Sequence, residues 1–156
     1  MKTIIIYATK HGAAGEIVRR IAEKMEAAVI HNLKQDGVPS LADFDCVIVG
    51  SSIYAGMIRK EAKLFLSQNA NVLQQKKLGL FICGLDIKGE KRYFDANFPP
   101  DILQAAKAAY FLGGIFDPGK TGVMERIIMK AVGKQTAYVN NIDDGKIEQF
   151  VEALRL

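Results

Sequence analysis

The segment Thr3–Arg20, TIIIYATKHGAAGEIVRR, decides the fold that we predict for this chain. Its first part, from Thr3 to Tyr7, is an apolar run with the composition of a β-strand. A turn of mostly small residues follows from Ala8 to Ala14. Apolar residues then recur at helical spacing, at Ile17, Ile21 and Met25. The segment therefore predicts a strand that passes through a short turn into an amphipathic helix.

A turn of this kind predicts an anion site. The first N–H groups of a helix have no intrahelical acceptor, and the helix dipole adds partial positive charge where they point. The turn contains neither the G-x-x-x-x-G-K-[ST] motif of nucleoside triphosphate sites nor the G-x-G-x-x-G motif of dinucleotide sites. A single phosphomonoester suits it better, and an ordinary strand–helix turn without a ligand is the alternative. The candidate residues are Thr9, Lys10, His11, Gly12, Ala13 and Ala14.

Strand-like and helix-like segments alternate along the rest of the chain. Continuous apolar runs are typical of parallel strands that are covered on both faces. The predicted strands are Thr3–Tyr7, Ala28–Leu33, Cys46–Gly50, Leu78–Cys83 and Ala109–Gly114. Amphipathic stripes predict helices containing Ile58, Ala62, Phe65 and Leu66, and Ile147, Phe150, Val151 and Leu154, with Asp143 or Asp144 as the N-cap of the last helix. The pattern predicts one α/β domain over residues 1–156, with a doubly wound, five-stranded parallel sheet.

One segment does not fit this alternation. After the fifth predicted strand comes Ile115–Lys120, then a helix-like run from Val123 to Val132, then a short strand-like piece, Thr136–Asn140. We interpret this as a fifth strand split by an insertion of about 20 residues, a length that often has a functional role.

Two further loops are predicted at the carboxyl edge of the sheet, where doubly wound folds bind ligands. The loop after the third strand offers hydroxyl groups and an Ile-Tyr pair that suits a flat ring, with the residues Ser51, Ser52, Ile53 and Tyr54. The loop after the fourth strand contains Gly84, Leu85 and Asp86. A phosphate turn beside two ring-covering loops predicts FMN. For Tyr54, the alternative is a partly buried aromatic residue that seals the sheet edge.

Composition limits the remaining possibilities. Residues of the charged types make up 24% of the chain and hydrophobic ones 49%, as in globular proteins. No apolar run is long enough to span a membrane, and the N-terminus does not have the pattern of a secretory signal. We therefore expect a cytoplasmic protein, in which Cys46 and Cys83 are core residues and no metal is bound. The net charge of +4 permits an anionic partner, although we expect no nucleic acid.

The chain resembles flavodoxin-fold proteins over nearly its whole length. Flavodoxin phosphate loops read roughly [ST]-x-T-G-x-T, which Thr9 and Gly12 match, whereas His11 and Ala14 stand where hydroxyl residues are usual. The resemblance implies the strand order 2-1-3-4-5 and bound FMN. Those two departures leave a flavodoxin fold without flavin as a further alternative.

A closer resemblance is to the bacterial menaquinone-dependent protoporphyrinogen dehydrogenases. It is carried by Gly50–Ile53 with Gly56, by Glu90–Arg92, and by Met124–Lys130 with Gly133. It implies that the protein oxidises an organic substrate, a tetrapyrrole precursor, at FMN and passes the electrons to a membrane quinone. No catalytic side chain is then required, since FMN performs the redox chemistry. The alternative is an FMN electron carrier without its own substrate.

The predicted inserted helix has a basic face and an apolar face. Arg126, Lys130 and Lys134 recur at intervals of four residues, and Met124, Ile127, Ile128 and Val132 lie on another side. Such a helix suits peripheral contact of Val123–Lys134 with an anionic membrane. A core-packed helix with a solvated basic face is the alternative.

Overall fold

The computed structural model describes residues 1–120 and 137–156, and within these ranges the main sheet has the predicted architecture. Its strands are parallel and lie in the order β2-β1-β3-β5-β6. Their bounds are Thr3–Ala8 for β1, Val29–Asn32 for β2, Cys46–Tyr54 for β3, Lys77–Cys83 for β5 and Ala106–Phe111 for β6. Because β4 is only a short hairpin strand, this order is the predicted 2-1-3-4-5.

Helices cover both faces of the sheet, as the continuous apolar strands require. They are α1 (Ala13–Lys24), α2 (Lys60–Leu73), α3 (Glu90–Asn97), α4 (Pro100–Ala105) and α5 (Asp144–Arg155). In β1, Ile4 and Ile6 pack in the core beneath α2, α3 and α4, while Ile5 packs in the core beneath α1 and α5. Every isoleucine of the first strand therefore stabilises one of the two layers.

The helices predicted within residues 1–120 and 137–156 are confirmed, and one residue assigned to them lies elsewhere. The four residues of the last predicted stripe are all buried in α5, and the Asp143 carboxylate caps that helix by accepting a hydrogen bond from the Lys146 N–H. Ile58, by contrast, belongs to the two-residue strand β4 (Met57–Ile58) and not to the helix that begins at Lys60. It is still a core residue.

The third strand is longer than predicted. The strand β3 continues to Tyr54, turns through Ala55 and Gly56, and pairs antiparallel with β4. Both turn residues have positive φ angles, 51° and 77°, as in the tight hairpin turns that match strand twist. The stretch predicted as a loop is therefore a β-hairpin that projects from the carboxyl edge of the sheet.

As predicted, the chain leaves the main sheet after its fifth strand. It does not return to that sheet to complete the strand, however. The strand β6 ends at Phe111, and β7 (Ile115–Phe116) pairs antiparallel with β8 (Val139–Asn140) in a separate ribbon. The second half of the predicted split strand thus lies in this ribbon and does not extend the main sheet. The predicted helix from Val123 to Val132 lies outside the described residues.

Within the ranges that the structure covers, no helix is long and apolar enough to cross a membrane. In the same ranges, no group of three or more His, Cys, Asp or Glu side chains is arranged to hold a metal ion.

Candidate functional site

A cleft opens where β1, β3 and β5 end and β7 begins. Its volume is about 130 Å³, and its lining is predominantly apolar. The cleft brings together three predicted loops that are far apart in sequence, with the lining residues Thr9, Lys10, His11, Ala13, Ser52, Ile53, Tyr54, Cys83, Gly84, Leu85, Gly114, Ile115 and Phe116. Nine of the predicted site residues are among them.

The turn between β1 and α1 has the geometry of an anion site. Gly12 is the N-cap of α1, with φ 91° and ψ −7°, a left-handed conformation that favours glycine. Its N–H donates to the Thr9 Oγ1 atom over 3.0 Å. The helix starts at Ala13, so its first N–H groups emerge at the edge of the cleft, where the positive end of the helix dipole lies.

Two residues of the predicted turn lie elsewhere. Gly12 lines an adjoining cavity, together with His11, Ala13 and residues of the β7–β8 ribbon. The side chain of Ala14 is fully buried in the core beneath α1. Only the backbone of Ala14 is therefore available to an anion, which is also what a helix N-terminus offers.

The negative charge of Glu16, in the first turn of α1, is neutralised locally. Its carboxylate accepts hydrogen bonds from Arg19 and Arg20, at 2.8 and 2.9 Å for one oxygen. These bonds lower the pKa of Glu16 to about 2. Arg20 also contacts Asp144 of α5 at 3.0 Å, which links the two helices on this face. The carboxylate near the anion turn is thus paired with two cations.

The two serines of the hairpin have different roles. Ser51 is almost completely buried: its hydroxyl accepts a hydrogen bond from the Arg59 N–H at 2.9 Å and donates to the Ser52 carbonyl. It therefore holds the hairpin against the start of α2 and does not line the cleft. Ser52 does line it, and its Oγ accepts a hydrogen bond from the Lys10 N–H at 3.2 Å.

Tyr54 forms one wall of the cleft. The residue is 39% exposed and lines the cleft. The Lys10 ammonium lies over its ring, 3.4 Å from the centroid, in a cation–π contact. One face of the Tyr54 ring is therefore in contact with a side chain from the anion turn.

The loop after β5 forms another wall of the cleft. Gly84 and Leu85 line the cleft. Asp86 does not: its carboxylate accepts a 2.8 Å hydrogen bond from the hydroxyl of Tyr93 and lies 3.5 Å from Arg92, both in α3. Asp86 thus attaches this loop to α3, and burial together with this carboxylate raises the pKa of Tyr93.

Sequence reasoning missed the contribution of the ribbon. Gly114, Ile115 and Phe116 line the cleft, and Asn141 connects them to the neighbouring loop. The Gly114 N–H donates to Asn141 Oδ1 at 2.7 Å, and the Asn141 amide donates to the Leu85 carbonyl at 3.5 Å. The position of Ile115 and Phe116 just after the fifth strand was the signal that could have identified them, because ligands bind at the carboxyl ends of such strands.

The cysteines are unreactive core residues, as predicted. Cys83 lines the cleft but is only 1% exposed, and burial raises the pKa of its thiol to about 12. Burial likewise raises the pKa of Cys46 to about 11. Neither thiol is ionised near neutral pH, so neither is a nucleophile.

Comparisons with known proteins agree with this architecture. A family model described as "Flavodoxin domain" matches residues 4–143. Oxidised flavodoxin 1 from Bacillus cereus has a TM-score of 0.58 and 13% identity, with 99% of this chain and 97% of that chain covered. A flavoprotein in complex with FMN from Lactobacillus acidophilus NCFM has a TM-score of 0.52 and 13% identity, with 72% and 91% covered.

A larger protein contains the same fold. The rubredoxin oxygen:oxidoreductase from Desulfovibrio gigas has a TM-score of 0.55 and 14% identity over 99% of this chain, which spans only 34% of that protein. No curated protein matches the chain significantly. At such low identities the structural similarity shows the fold alone.

Proposed function

Because the chain belongs to the flavodoxin-domain family, we propose that it binds FMN in the cleft and acts as an FMN-dependent oxidoreductase. The observation that carries the proposal is a predominantly apolar cleft that is bordered by the N-terminus of α1, by Tyr54 and by Leu85. An anion site beside an apolar cleft matches the two chemical parts of FMN. The bound flavin would supply the electron and hydride chemistry.

The residues present fit the phosphate group of FMN. The Thr9 hydroxyl and the first N–H groups of α1 are hydrogen-bond donors at one end of the cleft. We propose that Thr9, Lys10, His11, Gly12, Ala13 and Ala14 hold the phosphate, with Gly12 and Ala14 contributing backbone alone. His11 replaces the usual hydroxyl residue with a ring nitrogen.

The opposite end fits the flavin ring. Ile53 and Tyr54 on the hairpin face Gly84 and Leu85 on the loop after β5, with Ser52 between the hairpin and the anion turn. A Cβ atom on Gly114 would lie 2.8 Å from the Gly84 carbonyl oxygen, so only glycine allows these two backbones to come this close. We propose that Ser51 and Asp86 support this end indirectly, by fixing the hairpin and the loop.

For the reaction, we propose oxidation of an organic substrate with delivery of electrons to a quinone, by resemblance to the menaquinone-dependent protoporphyrinogen dehydrogenases. Basic residues follow both ring loops: Arg59 and Lys60 lie at the start of α2, whereas Lys91 and Arg92 in α3 are paired with Asp95 and Asp86. A basic rim raises the reduction potential of a flavin whose reduced form is anionic, which favours electron delivery to a quinone. We further propose a cytoplasmic location with peripheral membrane contact through Val123–Lys134, a segment outside the described residues.

The first test is the visible spectrum of the purified protein, before and after addition of FMN. We expect bound flavin with bands near ~370 and ~450 nm and a shift of free FMN on titration. A protein that takes up no FMN would refute the proposal. Steady-state reduction of a long-chain quinone, with a reduced tetrapyrrole as donor, then separates the enzyme from an electron carrier, which would bind FMN without turnover.

A further inference from the structure

Lys10 joins the anion turn to the hairpin at two points. Its backbone N–H donates to Ser52 Oγ at 3.2 Å, and its ammonium lies 3.4 Å from the centroid of the Tyr54 ring. A cation at this distance occupies the space that a stacked ring requires, since stacked aromatic planes also lie about 3.5 Å apart. The cleft volume of about 130 Å³ is correspondingly below the roughly 300 Å³ of the smaller ligand pockets.

A planar ligand can therefore stack on this face of Tyr54 only after the ammonium has moved. Loss of the cation–π contact opposes binding, and at exposed sites such a contact corresponds to about a two- to fivefold change in an equilibrium constant. The same cost applies to any flat ring, whatever that ring carries elsewhere.

A ligand with a phosphate can compensate for the displacement. Lys10 belongs to the turn where we place the phosphate, within reach of an ammonium on a four-carbon chain. The carboxylate of Glu16, in the first turn of α1, accepts hydrogen bonds from Arg19 and Arg20, so its negative charge is already paired. A charge-assisted bond to phosphate is stronger than a contact with a neutral ring.

We propose that Lys10 determines the specificity of the cleft: it weakens binding of the flavin without a phosphate by covering Tyr54, and it favours the phosphorylated flavin by leaving Tyr54 to contact the phosphate. Riboflavin and FMN carry the same ring and differ in the phosphate, so they are the two ligands that the residue would distinguish. The inference rests on the proposed flavin site.

The test measures the dissociation constants of FMN and riboflavin by the quenching of flavin fluorescence, for the parent and for Lys10→Met at one ionic strength. Methionine keeps the chain length and removes the charge. We expect riboflavin to bind about two- to fivefold more tightly to Lys10→Met, because the competing cation is gone. We expect the ratio of the riboflavin to the FMN dissociation constant to fall about tenfold or more, because phosphate loses its partner.

Two controls separate this from a general effect of charge or folding. Lys107→Met removes the same charge from an exposed position at the amino end of β6, away from the cleft, and should change neither constant by more than about twofold. In a Tyr54→Leu background, Lys10→Met should no longer tighten riboflavin, because there is no ring left to cover. Circular dichroism confirms that each variant is folded.

The outcomes are distinguishable. If the parent binds neither flavin, the proposed function fails. If the parent binds FMN but Lys10→Met leaves riboflavin unchanged or weaker, Lys10 does not compete for Tyr54. If the ratio of the two constants is unchanged, Lys10 does not pair with the phosphate. Either of the last two results overturns the inference while the flavin site stands.

Discussion

Gly12→Val tests whether the turn before α1 is the phosphate site. Gly12 has φ 91° and ψ −7°, and a Cβ atom built on it meets no atom within 4 Å. The Cβ atom itself therefore causes no clash, and the cost that the structure shows is the left-handed backbone, roughly 1–2 kcal/mol for a residue with a Cβ and more for a β-branched one.

This cost appears either in the stability of the free protein or in its affinity for FMN, depending on whether the turn relaxes. Gly12 is exposed, and its N–H donates to Thr9 Oγ1 within the turn. We expect the substituted valine to leave the left-handed region in the free protein, so that FMN must restore the donor geometry on binding. A cost of about 1–2 kcal/mol then raises the dissociation constant about 5- to 30-fold. Lys10→Ala should have a smaller effect, because it loses one charge but also frees the ring of Tyr54.

Gly37→Val is a matched control for this experiment. Gly37 also has a positive φ, 75°, and its Cβ also meets no atom within 4 Å, but it lies after β2, away from the cleft. Fluorescence titration should give the parent FMN affinity for Gly37→Val and the weakened affinity for Gly12→Val, with thermal melts of both variants for comparison. If Gly12→Val binds FMN as the parent does, the turn is not the phosphate site.

Three further predictions concern the ring walls and the helix beside the turn. Arg59→Glu with Lys60→Glu should lower the reduction potential of bound FMN by roughly 80 mV or more in a redox titration, since each charge contributes on the order of 1 kcal/mol; an unchanged or higher potential contradicts this. Gly114→Ala should weaken FMN binding and lower the free energy of unfolding by about 1–3 kcal/mol in denaturant titration, because its Cβ would meet the Gly84 backbone at 2.8–3.0 Å. Unchanged binding and stability would show that the two backbones can move apart without cost. The ion pairs of Glu16 lower its pKa from 4.5 to about 2, so they stabilise the folded protein by about 1 kcal/mol above pH 4.5, and this contribution is lost as the pH falls towards 2. Glu16→Gln should abolish this pH dependence in thermal melts recorded between pH 5 and pH 2.

The fold could be predicted because its strands are covered on both faces. Continuous apolar runs such as Thr3–Tyr7 and Leu78–Cys83 have one interpretation when helices alternate with them. The N-cap of the last helix could be narrowed to Asp143 or Asp144, since a capping carboxylate acts on its own helix, and the structure has Asp143 in that role. The prediction for Ile58 was wrong because an apolar residue at helical spacing from Ala62 also fits a buried strand that ends just before the helix.

The site could be predicted only to the level of loops. Parallel strands present their carboxyl ends at one edge, so the turns containing Thr9, Ser52 and Gly84 had to meet. Which side chains enter the cleft depends on contacts that are remote in sequence. Ser51 bonds to Arg59, eight residues away, and Asp86 to Tyr93, seven residues away, and neither partner follows from spacing.

The ribbon residues that sequence reasoning missed connect the inserted segment to the cleft. The excursion that leaves after Phe116 returns at Val139, so both of its ends lie in the β7–β8 ribbon, and Ile115 and Phe116 of that ribbon are also part of the cleft wall. Asn141 ties the ribbon to Gly114 and Leu85. The ribbon therefore borders both ends of the proposed flavin site: Ile115 and Phe116 line the cleft, and Ile115 and Asn140 share the adjoining cavity with the anion turn.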